Sequence, residues 1–140
     1  MKFRKLLISV VCLAVVLLFA AGCKQSSSNP YFPVAAQPES TYPLALTTGK
    51  LVVDGDYMRV KSGWFFAKGS LLIWPYGYSL KTTDGKISVI DKDGQVVAVV
   101  GDEVKFGGGE ISLEIVEKYL GKALPANCPG PYWLVSGVVK

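Results

Sequence analysis

Apolar residues are distributed along this chain in three regimes. From Leu6 to Phe19 they form an uncharged run of 14 residues interrupted only by Ser9. Between residues 24 and 48 they follow neither a period of 2 nor one of 3.6. From about Gly49 onward they return in short runs, several alternating with polar neighbours and separated by glycine-bearing turns. The first pattern predicts a targeting segment, the second an extended connector and the third a β-rich domain.

The third region can be read strand by strand. Leu51 to Val53 and Tyr57 to Lys61 flank Asp54-Gly55, a hairpin turn signal. Met58 and Val60 alternate with Arg59 and Lys61, which predicts one wet face. Leu71 to Trp74 is a continuous apolar run that Pro75 ends. Lys86 to Ile90 and Gln95 to Val100 flank the turn Asp91-Lys92-Asp93-Gly94. Val96 to Val100 is apolar on both faces, which predicts a central strand or a barrel wall. Glu103 to Phe106 and Tyr132 to Val139 complete the strands. A helix is predicted over Leu113 to Leu120, with Ser112 as N-cap, Glu114 in the first turn, and Ile111 and Val116 as a hydrophobic staple. Leu113, Val116 and Leu120 mark its buried face, and Gly121 stops it.

Five to seven short strands with one late helix predict a mainly β fold. The expected form is a small OB-like or SH3-like barrel with its helix at about 112–121. Residues 49–140, some 92 in all, suffice for one core and not for two. The expected organisation is a signal segment over 1–22, a connector over 23–48 and a single domain over 49–140.

The first segment carries further detail. Lys2, Arg4 and Lys5 precede the apolar run, and Ala20-Ala21-Gly22-Cys23 follows it. This arrangement resembles the signal peptide of bacterial lipoproteins. The resemblance implies cleavage after Gly22, a diacylglyceryl group on the Cys23 thiol and often an N-acyl chain such as palmitate. It departs from the usual pattern in having Ala20 where Leu is common. Two or more acyl chains make a stable anchor where one does not. The implied location is therefore extracytoplasmic, lipid-anchored to the membrane. Lys24 is not the Asp of the family's inner-membrane retention signal, so an outer membrane or a single cell membrane both fit. Two alternatives share the pattern. One is an uncleaved anchor, since Leu6 to Gly22 spans 17 uncharged residues, the short edge of what crosses a bilayer. The other is secretion with full release.

Cleavage changes the apparent composition. The whole chain has 15 basic and 11 acidic residues and a formal charge of +4. Losing Lys2, Arg4 and Lys5 leaves 12 against 11, a nearly neutral chain. Such a balance argues against a nucleic-acid partner, which needs a clustered basic footprint. Cys12 is discarded with the signal and Cys23 is consumed by lipid. Cys128 remains alone, as a small buried hydrophobe or an exposed thiol, and no internal disulfide is available. The chain has no histidine, the commonest general base and metal ligand.

Residues 24–48 hold Ser26, Ser27, Ser28 and Ser40 together with Pro30, Pro33, Pro38 and Pro43. This composition predicts a disordered tether, about 25–30 Å end to end as coil and roughly 75 Å as polyproline II. Tyr31, Phe32 and Tyr42 are unusual in a spacer and are either incidental or packed on the domain or on a neighbour.

Candidate chemistry is sparse. Asp91-Lys92-Asp93-Gly94 begins like a calcium loop, but Gln95, Val96 and Asp102 stand where the remaining ligands and the glycine belong. It reads as a turn. Gly107-Gly108-Gly109 lacks the Lys-Ser/Thr of a phosphate loop and suits a strand bulge or barrel corner. The carboxylate pairs Asp54/Asp56, Asp91/Asp93 and Asp102/Glu103 lie too close in sequence to flank a cleft. Above background stands an aromatic cluster: Trp64, Phe65, Phe66, Trp74, Tyr76 and Tyr78. It serves either a core or a ligand face, with Trp74, Tyr76 and Tyr78 as the candidate binding residues. Trp74-Pro75-Tyr76-Gly77 and Gly107-Gly108-Gly109-Glu110 are similar to segments of uncharacterised bacterial extracytoplasmic domains, a resemblance that implies no activity.

The expectation is a non-catalytic, lipid-anchored binding or interaction module for an envelope glycan or protein, with no cofactor, no metal and no catalytic residue set. The alternatives are an enzyme acting on envelope glycans through carboxylates assembled by the fold, and a structural accessory subunit of a membrane complex.

Overall fold

A computed structural model describes residues 29–63 and 69–139. The expected cleavage site at Gly22 and the lipid site at Cys23 lie outside the described residues, as do Trp64, Phe65 and Phe66. In chain order the strands are β1 (Ala45–Asp54), β2 (Tyr57–Lys61), β3 (Ser70–Ile73), β4 (Ser79–Thr83), β5 (Lys86–Ile90), β6 (Val96–Val99), β7 (Glu103–Ile111) and β8 (Tyr132–Val139). One helix, α1 (Leu113–Leu120), separates β7 from β8.

Five strands close a barrel in the order β1-β2-β3-β8-β7, with β7 returning to β1. Every contact in it is antiparallel except β3–β8, which is parallel. Counting barrel strands alone, the ring runs first, second, third, fifth, fourth. That Greek-key closure is the OB-like of the two forms expected. The remaining strands make a separate sheet, β4-β5-β6, inserted between the third and fourth barrel strands.

Side-chain alternation explains why one barrel supports two cores. Leu72 and Trp74 point inward and join Leu51, Met58, Val60, Phe106 and Val135. Val89 of β5 and Ala98 of β6 belong to the same cluster, so the small sheet packs onto the barrel core. Leu71 and Ile73, one residue out of step, point outward with Leu134 of β8 and are covered by Val116, Leu120 and Cys128. Helix α1 therefore roofs the outer face of β3 and β8.

Local signals account for most element boundaries. Ser112 Oγ accepts from the Ile115 amide at 3.4 Å, and Gly121 ends α1 in the left-handed region at φ 65°. Ile111 and Val116 share the outer cluster, as the staple requires. Leu113, expected on the buried face, is instead 45% exposed: it stands in the first turn, and only Val116 and Leu120 of the helix are buried against the barrel. The β4–β5 hairpin, absent from the expected elements, turns on Asp84 at φ 51° and Gly85 at φ 74°. Two successive positive φ values give the type I′ turn that an Asp-Gly pair encodes. Strand β4 escapes the apolar pattern because only Leu80 of its five residues is even partly buried.

Three further expectations are corrected. Residues 29–48 are not a free tether. Tyr31 N donates to the Asp56 carbonyl at 2.6 Å, Trp74 N to the Pro33 carbonyl at 2.8 Å, Ala35 N to the Trp74 carbonyl at 2.9 Å and Ala36 N to the Tyr119 carbonyl at 2.8 Å. Phe32 stacks on Trp74 with ring centroids 5.2 Å apart, and Ala35 is buried. β1 then begins at Ala45. Prolines favour extension and remove donors while leaving carbonyls to accept, so the same composition suits a strap along a barrel. The wet face expected for β2 is also only partial: Arg59 is 3% exposed. Finally, β6 is an edge strand and not a central one. Ala98 is buried in the barrel core and Val97 packs against it, while all four residues of the strand also border an open hollow.

Candidate functional site

The aromatic candidates do not form a ligand face. Trp74 has no exposed surface and sits among Phe32, Tyr78 and Phe106, the first two stacked on it and the last edge-on at 5.7 Å. A ring packed on three sides cannot stack on a sugar. Tyr78 is half-buried against Trp74, with centroids 6.0 Å apart. Tyr76 alone, at the turn before Gly77, is substantially exposed.

The glycine triplet is structural. The β7–β8 register shifts between Gly107 and Gly108, so the segment is a bulge. Gly108 has φ 138°, and a Cβ there would overlap the Leu134 carbonyl. Only glycine lets β8 pass so close.

Two of the candidate carboxylates, Asp91 and Asp54, serve local structure, while Asp102 and Glu103 border a hollow between β6 and β7. Asp91 Oδ1 accepts from the amides of Asp93 at 2.9 Å and Gln95 at 2.8 Å, closing the β5–β6 turn from within. Asp54 meets Lys61 Nζ across the β1–β2 hairpin at 2.8 Å. The hydrogen bond from that ammonium, reinforced by its charge, holds the Asp54 carboxyl below the usual carboxylate range. Among the described residues no group of three or more potential ligands converges to hold a metal ion.

Sequence reasoning missed Arg59. Its Nη1 donates to the Gly69 carbonyl at 3.1 Å and its Nη2 to the Pro129 carbonyl at 2.6 Å, with the Tyr57 ring 6.0 Å away. No ion pair reaches it among the described residues. The guanidinium ties β2 to the segment that carries buried Cys128 into the outer core.

What remains open is the space between β6 and β7. These strands follow one another through the short turn Val100–Asp102, yet they belong to different sheets and splay apart. Between them lies a hollow of about 300 Å³, lined by Val96 to Val99, by Asp102 to Lys105, and by Val138 and Val139. All four residues of β6 line it, which means that it opens onto the strand's edge as well as one face. The β8 ladder begins at Lys105, so Glu103 and Val104 lack a β8 partner among the described residues. Val96 (55% exposed) and Val139 (42%) stand on the rim. Natural sheets guard such edges with charge or proline, and Val96 to Val99 has neither. The opposite edge, β4, carries Lys81 and is touched by Asn29, whose Oδ1 accepts from Thr82 Oγ1 at 3.3 Å.

A second hollow of about 280 Å³ lies on the other flank of β7, at Pro43 to Leu46, Gly107, Gly108 and Ser136. Its floor is bare glycine backbone and its wall includes exposed Leu44 and Leu46.

No protein-family model, no curated protein and no solved structure matches this chain. Among the described residues no helix is long and apolar enough to cross a membrane.

Proposed function

We propose that the protein is a lipid-anchored extracytoplasmic binding module. It takes an extended segment of a protein partner against the free edge of β6. One observation carries this reading: an apolar strand edge free of charge and proline opens onto a hollow beside the start of β7, whose first two residues pair with β1 on one side and, among the described residues, with nothing on the other. Strand addition suits that geometry, because main-chain hydrogen bonds supply affinity and pockets for alternate side chains supply selectivity. The valines favour apolar side chains, while Glu103 and Lys105 offer polar contacts of both signs. A glycan partner is disfavoured, since Trp74 and Tyr78 are committed to the core. Hydrolysis by the pairs Asp91/Asp93 and Asp54/Asp56 is disfavoured by the use of Asp91 in a turn and of Asp54 in an ion pair, and the pair Asp102/Glu103 is adjacent in sequence at one strand start and does not span a cleft.

The edge is tested by placing a photoreactive side chain at Val96 or, as a control, at Tyr76, in native membranes. The expected result is a discrete protein adduct from position 96 that Val139→Lys abolishes. Adducts from position 76 alone, or an adduct of exactly two copies of this chain, would overturn it. The anchor is tested separately. Cys23→Ala is expected to move the protein from the detergent phase to the aqueous phase. A variant that stays with the membrane returns the N-terminus to an uncleaved span.

A further inference from the structure

The strap that replaces the expected tether changes how far the domain stands from its anchor. Asn29 lies beside Thr82 on β4, Tyr31 pairs with Tyr57, and Val34 pairs with Trp74. From Asn29 onward the chain is therefore fixed to the fold. Cys23 precedes Asn29 by six residues. However that interval is folded, it reaches at most about 20 Å. A free tether through residue 48 would have allowed several times as much.

The place where the strap begins matters as much as the reach. Asn29 adjoins β4, one edge of the small sheet, and β6 is the other edge. On the β4–β5 hairpin, Thr83 pairs with Lys86, while Lys81 pairs with Ser88. Those four residues share the face opposite Leu80, Ile87 and Val89, which pack on the barrel core. Two exposed lysines thus sit on the outer face of this hairpin, with Asp84 at its tip, while Thr82, which Asn29 touches, alternates onto the inner face; the anchor side meets the hairpin at the β4 edge between them.

We infer that the small sheet rests on the lipid headgroups by its β4 edge, with Lys81 and Lys86 within reach of the phosphates and the β6 edge turned away. The inference builds on the lipid anchor at Cys23 proposed above. It deepens that proposal by giving the domain a fixed orientation: one edge of the small sheet serves the bilayer and the other stays open to a partner. Lysine side chains near an anionic surface add attraction of the required sign.

The test uses the full chain, lipidated and reconstituted in vesicles containing anionic lipid. Thr83→Cys and Val96→Cys are labelled separately with a thiol fluorophore. Both positions are exposed, and the native Cys128 is buried. A contact quencher attached to lipid headgroups is then added. Quenching several-fold stronger at position 83 than at 96 is expected, and a 20-residue Gly/Ser insertion after Ser28 should abolish the difference. Equal quenching at both positions in vesicle-bound protein would overturn the orientation while leaving the anchor intact. A difference that survives the insertion would show that short reach is not what holds the hairpin down, and would overturn the inference. Protein that fails to float with the vesicles refutes the anchor itself.

Discussion

Arg59 carries a charge into a place where, among the described residues, no carboxylate follows it. Burying a guanidinium is costly unless its donors are satisfied, and here two carbonyls and an aromatic face do so. Hydrogen bonds to a charged donor contribute about 1.5–3 kcal/mol each, and an orphaned buried carbonyl costs about as much. Arg59→Met should therefore lower stability by about 2–4 kcal/mol, read as a fall in the denaturant midpoint. Arg59→Lys should recover little of it, because one ammonium cannot reach in two fixed directions as the planar fork does. Full recovery by lysine would mean that charge and not geometry matters at this position. Nothing local in Tyr57-Met58-Arg59-Val60-Lys61 reveals this role. The alternation correctly places Arg59 on the outer face of β2. Only the return of residues 122–131, some 70 positions later, makes that face dry at Arg59 and leaves it wetter at Lys61.

At the scale of elements, the strap and the small sheet decide how the protein differs from a bare barrel. Phe32 is the strap's main apolar contact with the core, through its stacking on Trp74. Phe32→Ala should cost about 2 kcal/mol, less than a fully buried phenylalanine because the ring is half-buried. Thermal unfolding would record the loss, and limited proteolysis should find new cleavage within residues 29–44 before the barrel is cut. Protection unchanged in that segment would mean that the backbone bonds to Trp74 and Tyr119 hold it alone. Helix α1 was legible down to its caps because capping is local chemistry: a serine, a glycine and a staple within ten residues. The strap was not, because proline and serine announce extension and say nothing about what the extended chain touches. Strand β6 shows the converse. Its apolar character was plain, but an edge beside a hollow and a strand buried in a sheet share that pattern.

At the scale of the molecule, the roofed outer face and the packed interior share one electrostatic consequence. Tyr31, Tyr42, Tyr57, Tyr78 and Tyr119 all have phenol groups pushed above their ordinary value of 10.0, in each case chiefly by burial. They lie on the strap, β2, the turn after β3 and α1, so they sample the whole assembly. The unfolded chain ionises them near pH 10 while the folded chain resists. Their contribution is fully present below pH 10 and is lost as pH rises through the higher folded values. Alkaline unfolding should therefore be accompanied by a cooperative rise in tyrosinate absorbance. Gradual ionisation without loss of structure would show that these rings are open to water. The barrel class itself was readable from strand number, turn spacing and the single helix. The ring order was not, since the parallel β3–β8 contact joins segments some 60 residues apart and leaves no trace in either.

That parallel contact also sets the order of events when the chain is made. β8 is the partner of both β3 and β7, and its adjacent residues Leu134 and Val135 enter the outer and inner cores in turn. Without it the ring has a gap, α1 has no complete floor and Trp74 faces an open seam. A nascent chain has nothing to close upon until residues 132–139 are available. Folding must then bring distant segments together at once, which is slow relative to local pairing. A protein wired in this way cannot complete its barrel from the N-terminal side inward, and takes its final shape only when β8 has been added to the ring.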